Sequence, residues 1–360
     1  MRIKHFIYDS FNNPWLDGGQ ASRTHEIYRR LNNNNEITVY SGRYPYSPKE
    51  KKLENIRYKF LGWPSSNFIL NKISFSLESM NYSNDCDLLV KDVSAFSPFF
   101  PKKTDIPTVC SICNIYENHA LAYGPVGIIA KFYEKIYPKF YDNYIVVSED
   151  IKNKICQVRK GKKTNIKVIP NGVDKTLLNL KRSEKDYILY IGRLDIYQKG
   201  LDVLIDAFAK IKDKTDLNLI IIGDGLQKYK LEKMIKQMKL EQRIRMVGRM
   251  NGDKKLSFIS NSMFLCCPSR FEGDPIVSLE SFACGKPIIA SSAITNASSE
   301  RSIILKNLNS NNLAKKILLL SENKKLRKKL GDSARTFARQ LTWDKIALNQ
   351  QIFYEQIIKY

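Results

Sequence analysis

One pattern, an alternation that runs through the chain twice, restricts its fold more than any other feature. Short apolar runs that read as strands are separated by longer segments with helical periodicity. In the first series the strand-like runs are 2–8, 37–40, 56–61, 88–91, 108–112 and 144–147. Helical periodicity marks 20–31 and an aromatic, basic stretch at 126–140. Ser148 is placed to cap a further helix, with Glu149 and Asp150 in its first turn. The second series begins near residue 186. Its strands read as 187–191, 217–222, 244–247, 264–267, 287–290 and 302–305, its helices as 200–211, 226–239, 254–260 and 275–283, with more helix after 312. Strands joined by helices make βαβ units and parallel sheets. The expected class is α/β, with two Rossmann-like, doubly wound parallel-sheet domains.

A chain of 360 residues with 43% hydrophobic residues can fill two such cores. The turn segment Pro170-Asn171-Gly172-Val173-Asp174 marks the boundary. It divides an N-terminal domain, 1–175, from a C-terminal domain, 176–341. In doubly wound sheets ligands bind beyond the carboxyl ends of the strands, and that is where the polar motifs of this chain fall.

The sharpest motif is Ser269-Arg270-Phe271-Glu272-Gly273-Asp274-Pro275-Ile276-Val277-Ser278-Leu279-Glu280, directly after an apolar strand. Asp274 reads as an N-cap and Pro275 as the first helical residue. The amides around Gly273 and Asp274 then face outward at a positive helix end, suited to an anionic or hydroxyl-rich ligand. Glu272 in the loop and Glu280 on the helix can accept hydrogen bonds from two separate sets of sugar hydroxyls. Glu280 lies among Leu279, Phe282 and Ala283, where a carboxylate persists mainly when paired. The bland reading is a surface glutamate beside a capped helix.

The second motif, Ile191-Gly192-Arg193-Leu194-Asp195-Ile196-Tyr197-Gln198-Lys199-Gly200, also leaves a strand and enters a helix. Gly192 lets backbone approach a ligand. Arg193 and Lys199 are either a solvated face or two cations for a diphosphate. Asp17-Gly18-Gly19 and Gly223-Asp224-Gly225 are each, alone, as consistent with turns as with phosphate sites.

Together and in this order, these residues resemble the family 4 glycosyltransferases of the GT-B fold (glycosyl transferases group 1). The resemblance spans nearly the whole chain and is loosest between 40 and 140. It implies two domains facing across a cleft, with the last helix, about 342–360 and opening at Thr342-Trp343-Asp344, returning to complete the first. It implies retaining hexosyl transfer from a nucleotide-sugar, a substrate and not a cofactor, with no metal. Arg193 and Lys199 would hold the donor diphosphate, with Gly192 beside them. Glu280 would bind the ribose hydroxyls. Glu272 would contact the transferred sugar, next to the amides of Gly273, Asp274, Pro275 and Ile276. Gly18 and Gly19 would line the phosphate or acceptor side, and Arg249, within 248–250, would lie by the base. Many members carry a histidine where this chain has Cys113-Asn114; His119, five residues beyond Asn114, is either its replacement or a surface residue.

Asp85-Cys86-Asp87 has the spacing of a metal-binding pair in other glycosyltransferases but reads here as a polar strand entry. Seven cysteines, mostly in apolar runs, read as reduced core thiols, and Cys110 and Cys113 as packing. The net charge of +23 is spread over both halves. It favours anionic partners or reflects a Lys-rich composition. No run is long enough to span a bilayer, and the opening at Met1 shows no secretory leader, so a cytoplasmic protein is expected. The segment 131–140 is either a packed helix or a contact with an anionic membrane near a lipid-linked acceptor. Two rival readings are a non-catalytic scaffold of the same fold and a nucleic-acid binder, the latter opposed by the absence of any recognised motif.

Overall fold

The computed structural model describes residues 1–10, 18–65, 67–82, 85–97 and 104–359. The chain forms two compact units. Unit 1 takes Met1–Asn171 and the chain from Trp343 onward, and unit 2 takes Gly172–Thr342.

Unit 1 contains β1 (Arg2–Ile7), α1 (Gly19–Leu31), β2 (Glu36–Gly42), β3 (Glu50–Leu53), β4 (Ile56–Leu61), α2 (Phe68–Ser79), β5 (Leu88–Asp92), β6 (Thr108–Ile112), α3 (Pro125–Ile136), β7 (Asn143–Val146), α4 (Glu149–Arg159) and β8 (Asn165–Val168). The eight strands lie in the order β3-β4-β2-β1-β5-β6-β7-β8, parallel except for the β3–β4 hairpin. The central strands are apolar on both faces because helices cover both: Leu88, Leu89 and Val90 are fully buried.

Unit 2 contains β9 (Tyr187–Ile191), the single turn α5 (Ile196–Lys199), α6 (Leu201–Ala209), β10 (Asn218–Ile222), α7 (Lys228–Gln237), β11 (Ile244–Met246), α8 (Gly252–Asn261), β12 (Leu265–Cys267), α9 (Ile276–Ala283), β13 (Ile288–Ser291), β14 (Ser302–Leu305), α10 (Ser310–Glu322) and α11 (Lys324–Ala338). Its parallel sheet runs β11-β10-β9-β12-β13-β14. The chain winds outward from β9 to β11, then returns to place β12 on the other side of β9. The strand order therefore reverses between β9 and β12, and the loops after them open the crevice where ligands of such sheets bind. Finally α12 (Trp343–Ile358) packs on α1 in unit 1.

Several local expectations change. The helix read over 126–140 stops at Ile136 and continues as a 3₁₀ turn, Tyr137–Phe140, because Pro138 cannot donate a helical hydrogen bond. Asp274 is not the cap of α9. Pro275 holds that position, and the Asp274 carboxylate accepts instead from Asn296 Nδ2 at 2.7 Å. Ser148 does cap α4, accepting from the Ile151 amide. Cys110 is fully buried, and burial raises its thiol well above the usual range; Cys156 is exposed.

Candidate active site

The site of unit 2 is built from four loops at the carboxyl end of its sheet. Gly192 N donates to Ile222 O at 3.0 Å, and Gly223 N to Gly248 O at 2.9 Å, so the loops after β9, β10 and β11 are tied edge to edge. Gly223 permits this approach: a Cβ there would stand 1.9 Å from Gly192 O, at φ +154. Arg193 leaves this layer with its guanidinium on Gln198 Oε1 at 2.9 Å, while Tyr190 OH donates to the Arg193 carbonyl. Asp195 caps α5 through the Gln198 amide, which fixes where Lys199 emerges.

Lys199 is ion-paired to Glu272, a residue 73 positions away on the loop after β12. This pair bridges the two strands at which the sheet order reverses. Ser269 Oγ donates to the same Glu272 oxygen at 2.9 Å. Glu272 is about one-tenth exposed and Lys199 about one-fifth, so both charges are held against solvent by each other. The floor beneath them is neutral. Burial first, and the nearby Glu272 charge second, push the Cys267 thiol up to about 12 and the Tyr190 phenol well above its usual range.

The second carboxylate has its own cation. Glu280, on α9, receives Lys255 Nζ of α8 at 2.6 Å. Between the two pairs, the turn entering α9 is immobilised by Thr295 Oγ1 on Gly273 O at 2.9 Å and by Asn296 on Asp274. Arg270 clamps the start of the motif, bidentate to Asp202 and stacked on the Tyr197 ring. The arrangement can exchange internal partners for ligand groups. The two lysines and Arg193 suit phosphate oxygens, and the two carboxylates suit hydroxyls.

Arg193, Lys199, Gly192, Glu272, Gly273, Asp274, Pro275, Ile276 and Glu280 thus fall on the loops and helix starts after β9 and β12. Arg249 is exposed on the loop after β11. The remaining candidates belong to unit 1. Gly18 is the N-cap of α1 and Gly19 its first residue, with no side-chain cap and no acidic residue in the first turn. A Cβ at Gly18 would stand 3.3 Å from Asp9 Oδ2, so a carboxylate already lies against this helix start. Asp17, read beside them, lies outside the described residues. His119 is half-buried in a 3₁₀ turn, Glu117–Tyr123. Lys255, Gln198, Ser269, Thr295 and Asn296 were not anticipated as site residues. Asp85 and Asp87 are both taken up by Arg2, at 2.6 and 3.2 Å. Among the described residues no cluster of His, Cys, Asp and Glu side chains is placed to hold a metal.

Comparison with known proteins decides the family. The model of the glycosyl transferases group 1 matches residues 178–337, and that of Glycosyltransferase Family 4 matches 17–177. The chain belongs to the family 4 glycosyltransferases. An uncharacterized glycosyltransferase of Methanocaldococcus jannaschii is 35% identical over 224 residues, 60% of each chain. A Campylobacter jejuni relative is named as an N-acetylgalactosamine-N,N'-diacetylbacillosaminyl-diphospho-undecaprenol 4-alpha-N-acetylgalactosaminyltransferase. It is 31% identical over 190 residues, covering 50% of this chain and 51% of its own. The matches span about half the length of these curated relatives. Among solved structures, a sucrose-phosphate synthase from Thermosynechococcus elongatus superposes with TM-score 0.84 over 100% of this chain and 99% of its own, at 19% identity. The Anabaena HepE protein in complex with UDP-glucose superposes at 0.76 over 100% of both chains, at 18% identity. The fold is GT-B, two parallel-sheet α/β domains.

Proposed function

We propose that this member of the family is a retaining glycosyltransferase of the hexosyl class. It moves a sugar from a UDP- or GDP-sugar to a hydroxyl of a glycan or lipid-linked acceptor, in cell-surface polysaccharide or glycoconjugate synthesis. The observation that carries the reading is the pair of ion pairs, Lys199–Glu272 and Lys255–Glu280, flanking the entry to α9. On donor binding Arg193 and Lys199 turn to the diphosphate and neutralise the charge that grows on it as the glycosidic bond breaks. Glu280 accepts from the ribose hydroxyls. Glu272, released from Lys199, accepts from hydroxyls of the transferred sugar. The departing phosphate takes the acceptor proton on the face it leaves, which retains configuration and asks the protein for position and charge, not for a metal. His119 and the start of α1 at Gly18 and Gly19 are assigned to the acceptor and phosphate side.

The Campylobacter relative's name includes a diphospho-undecaprenol substrate, which favours a lipid-linked acceptor here and work at the cytoplasmic face of a membrane. No helix among the described residues is long and apolar enough to cross one.

A thermal-shift panel with UDP, GDP, ADP and CDP tests the donor site, on the native chain and on Glu280→Ala. At one hundred times its dissociation constant a nucleotide stabilises by about 2.7 kcal/mol. One nucleotide shifting the native chain and not the variant is expected. No shift with any of them in a folded sample would overturn the reading in favour of a non-catalytic scaffold.

A further inference from the structure

Two helices of unit 1 are built inside out. In α2 most inward residues are polar: Asn71, Ser74, Ser76 and Ser79 are buried beside Phe75, Ser76 completely. Its apolar residues face water. Ile69, Ile73 and Leu77, at four-residue spacing, form one stripe with Leu70 beside it, and Leu77 is 54% exposed. In α3 the inward residues are Gly127, Ala130 and Glu134, while Val126, Ile128, Ile129 and Phe132 are exposed, Ile129 by 71% and Phe132 by 65%. An amphipathic helix of a globular domain turns its apolar stripe to the core, and these two do the reverse.

The inner faces explain how the protein tolerates this. Asn71 and Ser74 hold the loop before α2 by hydrogen bonds to the backbone of Ser65 and Trp63, and Glu78 accepts from the Gly62 amide. Glu134 accepts from the amides of Tyr116 and Glu117 at 2.7 and 2.8 Å. Gly127 lets α3 approach so closely that a Cβ would stand 1.8 Å from Ala120 O. Apart from Phe75, which enters the core, and Ser76, whose Oγ has no hydrogen-bond partner, the inner positions are spent on hydrogen bonds and close backbone contact, and nothing in that packing requires the outer ones to be apolar.

Both helices lie on one face of the sheet. The crossovers β4 to β5 and β6 to β7 run in the same direction along it, and right-handed crossovers then put α2 and α3 on the same side. Phe75 of α2, Tyr133 of α3 and Tyr137 after it share one core cluster. Of nineteen exposed large apolar residues among those described, thirteen fall between Tyr46 and Phe140. That concentration marks a docking surface.

Charge selects the occupant. The carboxylates of these helices, Glu78 and Glu134, are turned into backbone hydrogen bonds. Lys135 and Lys139 are exposed, and Lys131 half-exposed, along the rim of the α3 patch. Apolar residues ringed by lysines fit an anionic lipid surface. Pairing with a second copy through the same face would set the lysines against one another. We propose that the outer faces of α2 and α3 together form a surface that seats the protein on anionic bilayers. The proposal stands on unit 1 alone and is independent of the donor reading.

Vesicle cosedimentation with the full chain tests it, using phosphatidylglycerol–phosphatidylcholine vesicles against phosphatidylcholine alone. Binding to the anionic vesicles, weakened by salt, is expected. The doubly substituted Ile129→Glu/Phe132→Glu and Ile73→Glu/Leu77→Glu chains should each lose about tenfold or more in partitioning. Lys135→Gln and Lys139→Gln should each lose about fivefold, on the anionic vesicles only. All four positions of the acidic variants are exposed, so their melting temperatures should match the native chain. Native-like partitioning by the acidic variants, or no binding by the native chain, would overturn the proposal. So would a native dimer in sedimentation velocity that the same substitutions dissolve, which would assign the face to a second copy.

Discussion

Lys255 sits 2.6 Å from Glu280, and nothing local in the sequence marks it. It follows Lys254 on a helical stretch, where two lysines read as solvated surface. Only the packing of α8 against α9 turns one of them inward. Lys199 and Glu272 were legible as candidate site residues because each follows a strand and precedes a helix. Their pairing was not, since it depends on β12 returning to the side of β9. If Lys255 orients Glu280 toward the ribose, Lys255→Met should weaken binding of the preferred nucleotide by about tenfold, and Lys255→Arg should restore most of it. Isothermal titration with the same nucleotide lacking both ribose hydroxyls separates this from a general role. The penalty should disappear with that analogue, which offers Glu280 nothing to accept. An equal penalty with both nucleotides, together with a lower melting temperature, would make Lys255 a structural partner only.

Elements with strong patterns were legible and those with inverted or charged patterns were not. The apolar strands β1, β5, β6, β9 and β10 all lie within one or two residues of where the apolar runs put them. Strand β3, Glu50–Leu53, carries three charges at a sheet edge, where charge blocks further pairing. Its two-residue turn uses Glu54 and Asn55 at φ +46 and +64 without the glycine that signals such hairpins. Helix α2 carries no apolar stripe facing the core, since its buried face is polar apart from Phe75. At the junction of α5 and α6 the element-scale constraint is a single glycine. Gly200 has φ +64, and a Cβ would meet the Pro268 carbonyl at 2.0 Å, backbone that leads directly into Ser269 and Glu272. Gly200→Ala should therefore destabilise unit 2 by about 2–4 kcal/mol and shift Lys199 from its partner. Gly161, at φ +76 with open space around it, is the control, and its alanine variant should lose only about 1 kcal/mol. Urea unfolding measures both. Equal losses would show that the close approach at Pro268 relaxes freely.

The whole molecule is constrained by a chain that leaves unit 1 after Asn171 and returns to it at Trp343. On the unit 1 side, Arg23 of α1 donates to the carbonyls of Ile169 and Pro170, to Asn171 Oδ1 and to Gln350 of α12. On the unit 2 side, Val173 N donates to Leu341 O at 2.8 Å. Outgoing and returning segments are thus bound together within each unit. Unit 1 cannot complete its core until the last residues of the chain are available, because α12 buries Trp343, Ile346, Phe353 and Tyr354 against it. Tyr354 OH also lies 3.3 Å from Tyr28 OH, in a network that continues to His5 Nδ1 at 2.7 Å. Four large side chains at about 2 kcal/mol each amount to roughly 8 kcal/mol, comparable with the whole net stability of an ordinary domain. A chain ending at Thr342 should accordingly lose the cooperative unfolding of unit 1 while keeping that of unit 2. Calorimetry of the full chain should show a nucleotide-shifted transition from unit 2 alongside one that the nucleotide leaves in place. Only the shifted transition should survive the truncation. Survival of both would mean that α12 covers a core already complete without it. Loss of both would mean that unit 2, despite its own sheet and its own site, folds only when unit 1 does.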